Sequence, residues 1–380
     1  MRGLLFRKRG KPRSILSNHN FPYSASAYNA CFNRHLALST TPKSSIIFLN
    51  LIHMNILSSS GKLLIFLAVL FLSIFTLHAG ELRPSGLIFN DYHGSTVVVV
   101  DKSACRLMVY KFQESWKMDQ VFPCTTGKVE GDKFREGDFK TPIGIYWLNQ
   151  AWAGWELAQY YGNEANVYGT GAFEVSYPNY YDQVVERKDG NGIWIHGTIK
   201  GNPIPTRGCV SVSNNNFLEL TRSVELGDTP VIIEEKVTFS PSEEIDREQQ
   251  ILLGTIESWR QAWEEDVAEN YLSYYSDNFL TEKWNASTWR EHKLNVNSQN
   301  ERRRILINDL SVLKSKNIYH IRFVQTYTSS TLNDVGFKHL FLVKEQDGLK
   351  IVSENWTPLK QFSASPAFQY AYKEAAQNSM

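Results

Sequence analysis

From Ser95 onward the chain alternates short apolar runs with turn residues. "STVVVV" leads into the turn "DKSA", and "CRLMVYKF" and "KMDQVFPC" follow. These runs are rich in β-branched and aromatic residues, which fit a pleated, half-buried surface, so they predict strands. A Gly- and Lys/Asp-rich loop, "TTGKVEGDKFREGDFKTPIGIYWL", opens into another short strand, and "GIWIHGT" and "GDTPVIIEE" read as strands as well. "NNNFLELTRSV" predicts one short helix opened by an Asn cap. Strands at short spacing with few helices imply a β-sandwich or similar β-rich domain over residues 92–236.

The pattern changes around "KVTFSPSEEIDREQ". Ser240, Pro241 and the glutamates behind them predict a helix start, and Ile251, Leu252, Ile256, Trp259 and Trp263 keep helical spacing in a stretch running to Glu269. "AENYLSYYSDNF" predicts a second short helix. After Arg302 the stretches "RILINDLSVLK", "IYHIRFVQTY" and "KHLFLVKEQDGLKIVSENW" alternate, and the turn "EQDG" makes the last of them a hairpin. Helices followed by an antiparallel sheet predict an α+β domain over residues 245–362, a curved sheet backed by helices.

Upstream, "LLIFLAVLFLSIFT" from Leu63 is the only long apolar run. At about 15 residues it suits a signal-peptide core better than a spanning helix, which needs roughly 20. Residues 54–79, from Met54 to the "LHA" that ends at Ala79, therefore read as a signal peptide or signal anchor, with 1–53 an over-long start or extension. Either reading places the body outside the cytoplasmic membrane, in the periplasm. Charge supports the division. Residues 1–80 hold nine Lys/Arg and no Asp or Glu, which leaves 31 basic against 39 acidic residues in the remainder. An acidic body argues against a nucleic-acid partner.

Of four cysteines, three lie in the exported part, too few for a disulfide framework. If "CRLMVYKF" and "WKMDQVFPC" pair across "QESW", Cys105 and Cys124 fall opposite each other. They read equally as a disulfide or as two half-buried thiols. Cys209 is the odd thiol. It lies thirteen positions after His196 in "IWIHGTIKGNPIPTRGCVSVSN".

A thiol becomes a good nucleophile once a base takes its proton, and an imidazole can then return that proton to a leaving amine. The base must be aimed through its other ring nitrogen, for which the Gly197 carbonyl is in place. Gly208 lets the chain turn tightly and present N–H groups to an oxyanion. Arg207 can steady a thiolate or bind a substrate carboxylate. Tyr177, Asn179, Tyr180, Tyr181 and Asp182 either line a substrate groove or form an aromatic loop packed on the sheet. Trp194 is a core residue or a site wall. "EGDKFREGD" lacks the ordered acidic spacing of a calcium loop and reads as a solvated loop. From spacing alone, His196 and Cys209 are a catalytic pair or a buried strand pair.

"HGT" followed by "TRGCVSV", with an Asn nearby, resembles the signature of the L,D-transpeptidase catalytic (YkuD-like) domain. "GDFKTPIGIYWL" resembles that family's Thr-Pro-x-Gly-x-Tyr segment, and the resemblance spans residues 92–235. It departs at Ser211, where the family often carries Arg or Asn. The resemblance implies that Cys209 attacks a peptidoglycan stem at its third residue, with His196 as base and then acid, oriented by Gly197. D-alanine leaves and a thioester forms. An amine acceptor then gives a cross-link or an anchored protein such as an outer-membrane lipoprotein, whereas water trims tetrapeptide to tripeptide. The resemblance implies no metal or organic cofactor, and implies acylation by carbapenems.

The C-terminal part resembles an NTF2-like domain, a helix pair over a curved sheet enclosing a cone-shaped pocket, with Trp259, Trp263, Tyr271, Tyr274 and Tyr275 as core or pocket lining. The expected fold is thus a β-rich L,D-transpeptidase-like sandwich followed by an α+β NTF2-like cone domain. The arrangement resembles that of cell-shape L,D-carboxypeptidases and also occurs in L,D-transpeptidases. Three functions are consistent with it: transpeptidase, favoured narrowly because the signature is commoner in that role; carboxypeptidase; and an inert wall-binding or scaffold protein.

Overall fold

The computed structural model describes residues 81–90, 95–198, 203–265, 267–297, 302–359 and 368. The expected leader over 54–79 and the extension before it lie outside the described residues. Two short strands come first, β1 (Leu82–Pro84) and β2 (Leu87–Asn90). β3 (Thr96–Asp101), β4 (Arg106–Phe112) and β5 (Trp116–Thr125) form a meander, and β6 (Gly144–Ala153) follows the Gly-rich loop. Next come α1 (Gly154–Tyr161), a 3-10 turn (Gly162–Tyr168), β7 (Gly171–Val175), α2 (Tyr180–Val184), β8 (Trp194–His196) and β9 (Val210–Val212). α3 (Asn214–Thr221) and β10 (Pro230–Glu234) complete the first domain. After β11 (Phe239–Pro241) stand α4 (Ser242–Glu264), α5 (Ala268–Leu272) and α6 (Ala286–Asn297). Four strands complete the second domain: β12 (Arg303–Ser315), β13 (Ile318–Ser329), β14 (Asn333–Glu345) and β15 (Gly348–Pro358).

In the first domain the strands run in the order β10-β3-β4-β5-β9-β8-β7-β6, and β6 pairs back to β10. The two faces of the β-rich sandwich therefore join, and closure leaves no open edge in that sheet to template aggregation. The run "TVVVVD" explains itself in this setting. Every residue of β3 is buried: Val98 and Val100 enter the core with Leu148, Ile195 and Val210, and Val97 and Val99 enter a second cluster with Trp147 and Leu313. A strand covered on both faces has no polar alternation to show.

The second domain is a five-stranded sheet, β15-β14-β13-β12-β2, under α4. Ile245, Leu252, Ile256, Trp259 and Trp263 bury one face of α4, at the spacing a helix on a sheet requires. Ile251 does not join them; it is 64% exposed, because it falls on the opposite face. α4 ends at Glu264, before Glu269, and α5 begins anew at Ala268. The short helix opened by "NNN" is capped by Ser213, whose hydroxyl accepts from Asn216 N, not by an Asn. Cys124 is a buried free thiol, so the disulfide between Cys105 and Cys124 is not made, although Cys124 N donates to Cys105 O at 2.9 Å as the pairing requires.

The domains share structure. β2 pairs with β12, and Leu87 and Leu313 lie in one apolar cluster with Val97, Val99 and Trp147 of the first domain. The Arg322 guanidinium donates to Gly227 O at 2.5 Å and lies over the Trp147 ring. Tyr180 accepts from Glu282 N, and Tyr181 packs on Phe341. The "EGDKFREGD" loop is not solvated throughout: Lys133 is fully buried, its Nζ donating to Asp138 and to Arg135 O, and Asp132 is paired with Lys188 and, across the domains, with Lys316.

At the centre of this interface His320 Nε2 and His339 Nδ1 share a hydrogen bond of 3.0 Å, with Trp147 edge-on to both rings. Burial holds His320 well below its ordinary value, helped by His339 and Arg322, and burial with Arg322 and Lys338 pulls His339 down to about 3. The unfolded chain therefore takes up these protons first, so the stability tied to both imidazoles is complete above pH 6.5, the ordinary value, and falls as pH drops toward 3. Thermal unfolding across pH 7.5 to 4 should show this loss on the order of a few degrees per unit, and His339→Gln, which leaves His320 a hydrogen-bonding partner, should have the shallower slope. Equal slopes in the two proteins would remove the histidine pair as the cause.

Candidate active site

β8 exists because "IWIH" alternates: Ile193 and Ile195 enter the barrel core, and Trp194 and His196 face the other side. It pairs with β7 antiparallel and with β9 in parallel, with Ile195 opposite Val210 and His196 opposite Ser211. Continuing that register one residue back sets Cys209 beside Trp194. Residues two apart on a strand share a face, so His196 and Cys209 occupy diagonal positions on one side of the sheet. Cys209 packs against the cluster of Trp194, Tyr168 and Trp152 on that side. The sequence-predicted pair is thus brought together by parallel strand pairing.

The described part of the loop that carries Cys209 is pinned at Ile204, Thr206 and Gly208. Thr125 Oγ1 donates to Ile204 O at 2.7 Å, Thr206 N donates to Thr126 O, and Lys128 N donates to Thr206 O. Thr141, fully buried in the "TPIG" segment, accepts from Gly127 N and donates to Gly208 O, both at 2.8 Å. Thr206 Oγ1 donates to Cys209 O at 2.6 Å and accepts from Gly208 N at 3.0 Å. Gly208 has φ +134°, and a Cβ there would stand 2.7 Å from Lys140 O, so only glycine makes this turn. Its N–H is already donated to Thr206, which corrects the expectation that it faces an oxyanion.

His196 is buried, 4% exposed, and its Nδ1 lies 2.6 Å from Gly197 O. A carbonyl can only accept, so Nδ1 carries the proton and Nε2 is the free base. Tyr168 presents its ring at 87° to the imidazole, 5.2 Å between centroids. Burial lowers His196 to about 4, partly offset by the Gly197 hydrogen bond. Burial raises the Cys209 thiol to about 11, opposed by a backbone contact with Trp194 and the charge of Lys133. At neutral pH the resting pair is therefore a neutral thiol and a neutral imidazole. The thiol donates to Gly192 O at 3.6 Å.

The other sequence candidates divide. Arg207 is half-buried, within electrostatic reach of the Tyr168 hydroxyl. Trp194, 1% exposed, packs on Tyr168 behind the thiol, the two rings tilted at 44° with centroids 4.8 Å apart. Tyr177 is buried with its hydroxyl donated to Lys133 O, so it belongs to the core and not to a groove. Asn179 caps α2, Asp182 pairs with Lys188, and Tyr180 and Tyr181 meet the second domain. Ser211 is 1% exposed, beside His196. Thr141, Tyr168, Thr170, Thr206 and Asn214 do not stand out as site residues in the sequence. Thr141 carries a signal in its place in "KTPIG", Thr206 in its place in "TRGC", and Asn214 in the Asn-rich stretch just after it; Tyr168 and Thr170 carry none.

Residues 95–233 match the family model of the L,D-transpeptidase catalytic domain, and residues 251–355 that of the Cds6 C-terminal NTF2-like domain. Among solved structures the chain is similar to Bd1075 of Bdellovibrio bacteriovorus: 30% identity, 74% of this chain and 100% of that one covered, TM-score 0.62. It is also similar to the helical cell shape determining protein Pgp2 from Campylobacter jejuni, at 27% identity over 72% of this chain and 95% of that one, TM-score 0.61. No curated protein matches it.

A neutral resting pair makes a direct prediction. Alkylation of Cys209 by iodoacetamide should be slow at pH 7 and accelerate by about tenfold per pH unit toward the thiol's own value. The rate is read by intact mass. A plateau around neutrality, abolished by His196→Gln, would mean a thiolate–imidazolium pair instead.

Proposed function

Because this chain belongs to the family that joins an L,D-transpeptidase catalytic domain to a C-terminal NTF2-like domain, we propose that it is a cysteine L,D-carboxypeptidase of the cell wall that trims peptidoglycan tetrapeptides to tripeptides. The observation that carries the chemistry is the placement of Cys209 and His196 on one face of the β8–β9 pair, with Nδ1 of His196 tied to Gly197 O. The preference for water over an amine as acceptor rests on the resemblance of the domain arrangement to cell-shape L,D-carboxypeptidases, supported by likeness to Pgp2, a helical cell shape determining protein, over 95% of that chain. The sequence alone leans narrowly to transpeptidation.

Cys209 Sγ attacks the carbonyl carbon between the third residue and the terminal D-alanine while His196 Nε2 takes the thiol proton. Because both groups rest neutral, proton transfer and attack proceed together, and no buried ion pair has to be kept. The imidazolium then protonates the D-alanine nitrogen, the C–N bond breaks, and a thioester remains. Water, deprotonated by the same Nε2, attacks the thioester and releases tripeptide and free thiol. Arg207, beside the nucleophile, is suited to the carboxylate of the departing D-alanine. The substrate sets the place of action at the periplasmic wall, after export. Transpeptidation to an amine, including a lipoprotein's, uses the same acyl-enzyme.

Purified protein incubated with tetrapeptide muropeptides should give tripeptide and D-alanine by mass spectrometry. Cys209→Ala should abolish both, and His196→Gln should lower turnover by about 10²- to 10⁴-fold. Cross-linked dimers lacking one D-alanine would make the protein a transpeptidase. Absence of any Cys209-dependent product would leave a wall-binding protein.

A further inference from the structure

Thioester chemistry at Cys209 needs His196 in one tautomer, and the role of Asn214 rests on that reading of the site. The acceptor of the Nδ1 proton is the carbonyl of the peptide linking Gly197 to Thr198. The N–H of that peptide belongs to Thr198 and points the opposite way, as a trans peptide demands. It donates to Asn214 Oδ1 at 3.0 Å. One rigid plane is thus gripped at both ends, by the imidazole on its oxygen and by a carboxamide on its nitrogen. Hydrogen bonds in such a chain polarise one another, so the Asn214 contact also makes the Gly197 oxygen a better acceptor.

Asn214 is held to this task from several sides. Its Oδ1 also accepts from Thr170 N at 3.0 Å, with Thr170 Oγ1 at 3.4 Å. Two backbone N–H groups converge on one atom, so that atom is the oxygen and the amide orientation is settled by the donors. Gly197 N donates to Gly171 O at 3.1 Å, which fixes the chain on the preceding side. A Cβ at Gly197 would fall 2.4 Å from Asn214 Oδ1, and one at Gly169 would fall 2.2 Å from it. Both glycines leave the space that the carboxamide fills. Asn214 itself opens α3, whose first turn is tied by Ser213 to Asn216.

We propose that Asn214 is a positioning residue for the cysteine chemistry. By binding the Thr198 N–H it holds the Gly197–Thr198 plane, so that the Gly197 carbonyl keeps the proton on His196 Nδ1 and leaves Nε2 as the base. Asn214 does not touch substrate. Without it the plane is free to rotate, and His196 distributes between tautomers, one of which cannot take the thiol proton.

The test uses the full chain with ¹⁵N-labelled histidine and the variants Asn214→Ala and Asn214→Asp. Long-range ¹H–¹⁵N spectra, with His196 assigned by His196→Gln, read the protonation of each ring nitrogen. The wild type should show Nδ1 protonated and Nε2 bare. Asn214→Ala should show a mixture, with kcat on tetrapeptide lowered by about 10- to 100-fold and KM within about twofold. Asn214→Asp keeps an acceptor for the Thr198 N–H, so it should keep the wild-type tautomer and recover kcat relative to the alanine variant. A folded Asn214→Ala with unchanged tautomer and kcat overturns the proposal. If that variant does not fold, Asn214→Asp decides: a folded aspartate variant that has lost the Nδ1–H tautomer overturns it as well. A tautomer shift in Asn214→Ala alongside a wild type without Cys209-dependent turnover leaves the positioning role standing and removes the enzymatic reading.

Discussion

The parallel pairing of β8 with β9 is the constraint on which the rest depends. Two parallel strands cannot be joined by a tight turn, so the chain must leave β8, travel back and re-enter beside it. The crossover runs from Gly197 to Gly208, and both ends of it are chemically occupied: His196 closes the first strand and Cys209 precedes the second. Such a connection costs conformational entropy, which the hydrogen bonds from Thr125, Thr126, Lys128 and Thr141 offset where the loop runs over the barrel. Register then decides chemistry. A slip of one residue would turn Cys209 to the opposite face from His196.

Burial sets the protonation state that this arrangement carries. Tyr168 and Trp194 cover the pair on its inner side, and the same desolvation that raises the thiol lowers the imidazole. Each shift alone would look like a hindrance. Together they keep a low-dielectric site free of resting charge.

The second domain is part of the same solid body of structure. Val97, Val99 and Trp147 turn outward from the barrel into a cluster completed by Leu87 and Leu313, while Arg322 reaches back to Gly227. Phe368, from beyond the last strand, packs on Phe173 in the barrel core. Asp132 couples the long loop before β6 both to Lys188 and to Lys316 across the interface. A segment that reads as solvated in the sequence is therefore a pin between domains, because its apolar neighbours and its lysines are supplied from distant parts of the chain.

The sequence by itself determined a great deal. Alternation of β-branched runs and turns specified a β-rich first domain, helical spacing from Leu252 to Trp263 specified the helix over the second sheet, and the Cys209 and His196 motifs carried the family. These features are local, since strand and helix periods are written in neighbouring residues. Short pieces escaped: β2 has four residues and α2 five, too few for a period to show. The assignment of Tyr177, Tyr180 and Tyr181 to core and interface, the loss of the Cys105–Cys124 bridge, and the capture of the Gly208 N–H by Thr206 depended on which groups arrive from elsewhere. So did the role of Asn214, whose partners Thr170 and Thr198 stand 44 and 16 residues away. Hydrogen-bond direction and burial are properties of neighbours in space, and only the tertiary structure selects those neighbours.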